Sequence, residues 1–100
     1  MKGTGEFSIG GQVWPGTSKV LEEMGELTQV LGKLVGSHGE IAHFDGSDLQ
    51  VRLVEEIADV LAALDFFREQ NLGEHGPASS LESRRARKLE LFRAWHKQGK

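Results

Sequence analysis

Two pairs of acidic residues stand at spacings that suit metal-dependent chemistry. Glu23 and Glu26 are three residues apart, and so are Glu56 and Asp59. In a helix, residues three apart lie on one face, so each pair presents two carboxylates on the same side. Carboxylate oxygens are ligands that Mg²⁺ prefers, and a bound divalent ion polarises phosphoryl oxygens and activates water. The residue types and their spacing therefore predict cleavage of a phosphate ester or anhydride.

Helical periodicity turns these carboxylates toward the packed side of each helix. At about 100° per residue, Glu23 projects inside an apolar arc and Glu26 lies at its edge, while Glu56 and Asp59 repeat this arrangement on the second helix. The two predicted arcs are formed by Val30, Leu34, Leu27, Val20, Leu31, Met24 and Val35, and by Ala63, Leu49, Phe67, Val60, Leu53, Leu64 and Ile57. Two ionised carboxylates about 4 Å apart repel by roughly 4 kcal/mol at an effective dielectric near 20. Four of them need a cation, and we expect Mg²⁺, with Mn²⁺ as a substitute.

The same acids have a simpler interpretation as ordinary surface ion pairs. Lys19 precedes Glu23 by four residues, and Arg52 precedes Glu56 by four. Base before acid is the less favourable order, and such pairs contribute only a few tenths of a kcal/mol. Two acid pairs that both lie inside apolar arcs favour the metal site. In that interpretation Lys19 and Arg52 face the phosphates of a substrate.

The elements that must position these residues are helices. Residues 1–16 contain five glycines and Pro15, which indicates an irregular arm. Apolar residues then recur at helical spacing over 17–35, and Thr17 or Ser18 can cap the start of this first helix.

A second helix, of about 24 residues, is predicted to begin at a capping box formed by Ser47 and Gln50. A second capping box, Ser79 with Glu82, is predicted to open a basic C-terminal helix over 79–98. No segment long enough to form a strand alternates between apolar and polar residues. The sequence therefore predicts an all-α fold, an antiparallel bundle of about three helices in a single domain spanning 1–100.

Composition limits the broad class of protein. The chain has 100 residues, no cysteine and a formal charge of −3, and its single modest core suggests association with further copies. Neither an apolar run of about 20 residues nor the apolar segment of a signal peptide is present, so we expect a cytoplasmic protein with no membrane partner.

The charge is divided unevenly along the chain. Residues 1–83 carry a balance of −9, and residues 84–100 carry +6. The basic helix can bind nucleic-acid backbone, contact the phosphates of a substrate, or dock on the acidic surface of a neighbouring subunit. We consider nucleic acid the less favoured partner, because the segment has few aromatic residues between its charges. Trp14 also has two interpretations, a platform for a nucleobase or a hydrophobic plug at the entrance of the first helix.

The acidic strings resemble those of a known family. The segment KVLEEMGEL at 19–27, followed after a glycine-containing loop by LVEEIADVL at 53–61, resembles the MazG-like branch of the all-α nucleoside triphosphate pyrophosphohydrolases. That resemblance covers residues 14–72, and the closing stretch over 88–96 is similar to the C-terminal helix of small members. Members usually carry a longer helical segment before the first motif, where this chain has the glycine-rich arm.

The resemblance implies magnesium-dependent hydrolysis between the α- and β-phosphates of a nucleoside triphosphate, giving the monophosphate and pyrophosphate. Glu23 and Glu26 match the family's ExxE motif and Glu56 and Asp59 its ExxD motif, so these four are the expected metal ligands. Glu22 is the candidate for positioning the attacking water. The resemblance also implies a homodimer or homotetramer that completes the bundle. The alternative is a non-catalytic helical module whose basic C-terminal helix binds nucleic acid or an acidic protein.

Overall fold

The all-α prediction is confirmed. A computed structural model describes residues 5–42, 46 and 48–99 of the chain. Its elements are helix α1 (Thr17–Gly36), helix α2 (Leu49–Asn71), a 3-10 turn (Gly76–Ser80) and helix α3 (Leu81–Lys97). Within the described residues there is no strand, only one isolated bridge between Ala42 and Asp48.

Helix α1 begins without the side-chain cap that the sequence predicted. Its N-cap is Gly16, in the left-handed region at φ 93°, and no side chain caps the helix. The Thr17 hydroxyl instead donates to the Trp14 carbonyl oxygen, 2.6 Å away. A Cβ on Gly16 would lie 2.9 Å from the Phe66 ring, so close contact with α2 requires glycine here. The cap prediction at Thr17 or Ser18 was wrong because tertiary packing selects the backbone conformation at this position.

Helix α2 is capped one residue later than predicted. Asp48 is the N-cap, and its Oδ1 accepts hydrogen bonds from the backbone N–H groups of Gln50 at 2.8 Å and Val51 at 3.2 Å. Ser47, the predicted N-cap, lies outside the described residues. An aspartate here satisfies two of the four N–H groups that a helix start leaves unbonded, and its charge suits the helix dipole.

The predicted capping box before α3 is absent. The Ser79 hydroxyl donates to the Gly76 carbonyl oxygen at 2.8 Å within the 3-10 turn, and Ser80 occupies the N-cap position without capping through its side chain. The Glu82 carboxylate pairs with Arg68 and Arg85 rather than with the helix start. The tight turn after Gly76 and Pro77 provides the entry to the helix instead.

Helices α1 and α2 pack as an antiparallel hairpin around a very small core. The end of α2 is tied to the start of α1, since Asn71 Nδ2 donates to the carbonyl oxygens of Pro15 and Phe67, each at 2.9 Å. Among the described residues, the buried apolar side chains are Val30, Leu49 and Ala63. The hairpin is the element that brings the two acidic motifs together.

Helix α3 stands apart from this hairpin. In the part of the chain that the structure describes, α3 packs only against the preceding 3-10 turn. Its link to α2 is an ion pair between Arg68 and Glu82, with 3.4 Å between Nη2 and Oε1. The molecule is consequently flat, with extents of 42 × 41 × 16 Å and a radius of gyration of 16.8 Å. A compact chain of this length has a radius of gyration of about 13 Å.

Candidate metal centre

Three of the four predicted metal ligands converge in the middle of the hairpin. Glu23 of α1 and Glu56 and Asp59 of α2 each present a carboxylate oxygen, and these oxygens lie within 4.8 Å of one another. Glu23 occupies the inward stripe of α1 that also holds Leu27 and the buried Val30. The helical repeat therefore projects acidic side chains between the helices at positions where apolar residues normally pack.

The two central glutamates each bury one oxygen without a partner. Oε2 of Glu23 and Oε2 of Glu56 are shielded from solvent and accept no hydrogen bond from the described residues. Desolvation raises the pKa of both carboxyls, and the nearby carboxylates of Glu26 and Asp59 raise the two pKa values further. A buried oxygen that lacks a donor is costly to the fold. These oxygens are suited to a cation, which would provide the missing electrostatic partner.

Glu26 lies beside the cluster rather than within its closest group. It is exposed, as expected for the edge of the apolar arc. Its charge is the second largest cause of the raised pKa at both Glu23 and Glu56. The structure thus brings three predicted ligands together and places the fourth at the margin.

The two predicted cations differ in their surroundings. Lys19 Nζ contacts Glu22 Oε2 at 3.1 Å, and this hydrogen-bonded ion pair raises the pKa of the Lys19 ammonium. The i, i+4 pair between Lys19 and Glu23 that the sequence offered is therefore replaced by an i, i+3 pair. Arg52 is half-buried near Glu56, and its positive charge partly opposes the rise in the pKa of that carboxyl.

Glu22, the candidate for positioning water, lies outside the converging group. Its side chain is about half exposed and is held by Lys19. Lys19 also lines a cleft beside Glu23. Its ammonium group therefore lies at the margin of the acidic cluster, where the carboxylate of Glu22 partly balances its charge.

A cleft of about 390 Å³ opens beside the carboxylates. It is lined by Ile9, Lys19, Glu23, Asp59, Ala62, Ala63 and Phe66. The lining therefore combines three charged side chains, two of them acidic, with four apolar ones. Sequence reasoning missed Ile9 and Phe66. Ile9 gives no signal because the glycine-rich arm has no periodicity, and Phe66 adjoins Phe67, which the helical pattern assigned to the core.

Trp14 lies just before α1 and packs against Phe67 of α2. Its ring stacks on Phe67 with 6.1 Å between centroids and 14° between planes, and the residue is 52% exposed. The tryptophan adopts a left-handed backbone conformation at φ 45°, which places its carbonyl oxygen to accept from Thr17. One face of the indole is thus used for packing, as the plug interpretation requires, and half of the residue is open to solvent.

The donor set fits a small, hard divalent cation. All three convergent groups offer carboxylate oxygen, the ligand type that Mg²⁺ and Mn²⁺ favour over nitrogen or sulfur. Three protein ligands also leave coordination positions for water and substrate oxygens.

No model of a known protein family, no characterised protein and no solved structure matches this chain. Among the described residues, no helix is both long and apolar enough to cross a membrane. The assignment of a function therefore depends on the chemistry of the acidic cluster and on the sequence resemblance.

Proposed function

We propose that this protein is a magnesium-dependent nucleoside triphosphate pyrophosphohydrolase. The observation that carries the proposal is the convergence of Glu23, Glu56 and Asp59 with two buried, unpartnered glutamate oxygens. Their positions coincide with the ExxE and ExxD strings that resemble those of the MazG-like enzymes. A cluster that repels itself in the absence of a cation is the arrangement expected of a metal-binding site.

In the proposed reaction, the oxygen of water forms a bond to one phosphorus of the α–β anhydride as the bridging P–O bond breaks. The products are a nucleoside monophosphate and pyrophosphate, and the attacking water releases one proton. Mg²⁺, or Mn²⁺ in its place, supplies charge neutralisation and water activation when bound. Glu23, Glu56 and Asp59 would hold it, with Glu26 as the fourth expected ligand at the margin of the cluster. Glu22 accepts a hydrogen bond from the attacking water and orients it.

The remaining residues around the cleft have proposed roles in binding. Lys19 and Arg52 contact the phosphates, where their positive charges offset the negative charge of the substrate. Trp14 offers its exposed ring face to a nucleobase; such stacking contributes about 1–3 kcal/mol. We further propose a homodimer or homotetramer, and the expected cytoplasmic location stays a prediction.

The proposal predicts a specific product pattern. The purified protein, incubated with a panel of NTPs and dNTPs and Mg²⁺, is expected to release monophosphate and pyrophosphate, detected by chromatography. Glu56→Gln is expected to lower this activity by at least about 100-fold, because it removes the charge of a central ligand; truncating single groups that stabilise a transition state costs a similar factor.

The matched control is Glu55→Gln, an identical change at the adjacent exposed residue, which is expected to retain activity within about threefold. Absence of product from every nucleotide tested would contradict the proposal. So would full activity in Glu56→Gln, since the reaction would then proceed without the acidic cluster.

A second candidate function is supported by the separation of α3 from the hairpin. Three basic residues, Arg84, Arg87 and Lys88, line a groove of about 600 Å³ on this helix together with Glu90 and Leu91. A non-catalytic module that uses α3 for nucleic acid or an acidic protein predicts salt-dependent binding to DNA, RNA or such a protein, measured by fluorescence anisotropy. Loss of binding in Arg84→Ala and Arg87→Ala, together with no Mg²⁺ uptake, would favour this function over the enzyme.

A further inference from the structure

Residues 5–16, which we call the arm loop, fold onto the start of α1. The Ser8 carbonyl oxygen accepts a hydrogen bond from the Gly16 N–H group at 2.8 Å, and the Phe7 carbonyl oxygen accepts one from the Ser18 N–H group at 2.8 Å. A helix start leaves its first N–H groups without partners, and no side chain caps α1. The backbone of the arm loop provides one of these missing partners, so the loop is joined to the hairpin by specific contacts.

Gly11 is a position in the arm loop where only glycine fits. Its N–H group donates to the Ser8 carbonyl oxygen at 3.0 Å, and an added Cβ would lie 1.9 Å from the Glu6 carbonyl oxygen. Since no Cβ approaches another atom so closely, a side chain at this position would displace the loop. At the neighbouring Gly10, an added Cβ would meet nothing within 4 Å. The two glycines therefore differ in what a methyl group would do to the loop.

The arm loop brings Ile9 to the cleft beside the acidic cluster. Ile9 lines this cleft together with Ala62, Ala63 and Phe66 of α2, and it is 50% exposed. The Phe66 ring is also the neighbour of the start of α1, because a Cβ on Gly16 would lie 2.9 Å from it. The loop and α2 therefore contribute apolar side chains to one cleft.

The same cleft contains part of the candidate metal centre. Glu23 and Asp59, two of the three convergent carboxylates, belong to its lining. Its volume of about 390 Å³ lies within the range of about 300–1,000 Å³ that is usual for small-molecule sites, whose linings are mostly apolar with a few polar groups. In a nucleotide the sugar and base are attached next to the α-phosphate. A nucleotide whose phosphates are held at these carboxylates therefore has its sugar and base close to the apolar part of the lining.

We propose that Ile9 is a substrate-binding residue whose side chain contacts the sugar and base of the bound nucleotide. The inference rests on the proposed function and deepens it, because it assigns recognition of the nucleoside to the arm loop, outside the two helices that carry the acidic motifs. An apolar contact with the nucleoside predicts a loss of affinity for nucleotides when the side chain is shortened. It predicts no loss of affinity for phosphate chains that lack a nucleoside.

The test compares the affinities of the full chain for two probes in the presence of Mg²⁺, measured by isothermal titration calorimetry. One probe is the set of α,β-methylene analogues of the four NTPs, which are not cleaved at the α–β position, and the other is inorganic tripolyphosphate. Ile9→Ala is expected to weaken binding of the tightest analogue about tenfold, a usual factor for methylene groups lost from an apolar contact. Its affinity for tripolyphosphate is expected to stay within about twofold of the wild type.

The adjacent glycines provide a matched pair of variants. Gly11→Ala is expected to weaken binding of the same analogue, because the added Cβ displaces the loop that carries Ile9. Gly10→Ala makes the identical change in open space and is expected to keep the wild-type affinities for both probes. Circular dichroism and thermal melting establish that each variant retains the folded hairpin.

Equal affinities of the wild type and Ile9→Ala for every analogue would overturn the inference, and so would the absence of analogue binding to the wild type. An equal loss of affinity for tripolyphosphate would also overturn it, since Ile9 would then act on the phosphate site or on the fold. Failure of the proposed function is recognised separately, by the absence of product from the wild type. Ile9-dependent binding to a chain that releases no product would overturn the hydrolase activity and support the nucleoside contact.

Discussion

Glu23 and Glu56 occupy seam positions where apolar residues would stabilise the hairpin more. Each has one oxygen that is buried without a donor, and in each the carboxyl pKa is raised chiefly by desolvation and then by the neighbouring acids. The folded chain therefore favours their protonated forms more than the unfolded chain does. Such a cost to stability is typical of residues retained for binding.

This shift predicts how stability depends on pH. A carboxyl whose pKa is raised by folding binds protons more tightly in the native state, so its contribution to stability falls as pH increases. The loss begins near the ordinary glutamate pKa of 4.5 and continues through the raised value. With a chelator present, Glu56→Gln is therefore expected to have a melting temperature a few degrees above that of the wild type at neutral pH. The difference between the two melting temperatures is expected to be smaller near pH 4.5.

Thermal melting with and without Mg²⁺ provides the complementary measurement. The ion is expected to raise the melting temperature of the wild type, because it binds only the folded cluster, and to have a smaller effect on Glu56→Gln. If the melting temperature of Glu56→Gln exceeds that of the wild type by the same amount at every pH, the role assigned to the Glu56 carboxyl is contradicted.

At the scale of elements, the contact between the start of α1 and the end of α2 positions the cleft. Gly16 approaches the Phe66 ring, Asn71 donates to Pro15, and Trp14 stacks on Phe67. These contacts fix the relative rotation of the two helices. Any change that separates the helix ends is expected to move the acidic motifs apart.

Two glycine substitutions in and beside α1 are expected to have opposite effects. Gly16→Ala should destabilise the fold by about 1–3 kcal/mol, because alanine disfavours the left-handed backbone at φ 93° and its Cβ would meet Phe66. Gly32→Ala, inside α1 with nothing near its added Cβ, should stabilise by about 0.5–1 kcal/mol through helix propensity. Urea unfolding of both variants measures the difference, and equal effects would show that Gly16 has no special role.

At the scale of the whole molecule, the flat shape and the separated α3 leave much apolar surface without a partner. The acidic hairpin and the basic α3 are separate elements in this arrangement, and an ion pair between Arg68 and Glu82 links them. Further copies of the chain, as in the proposed homodimer or homotetramer, would provide apolar partners for this surface.

The all-α class, helix limits close to those observed and the inward direction of Glu23 and Glu56 could all be predicted from the sequence. These follow from the period of the helix, which is a local property of the backbone. Tertiary packing, in contrast, makes Gly16 the N-cap of α1, places Ile9 in the lining of the cleft, and leaves Met24, Leu31 and Val35 exposed. A helical period defines an apolar arc, but the neighbouring element determines which part of that arc is covered, and that element is distant in the sequence.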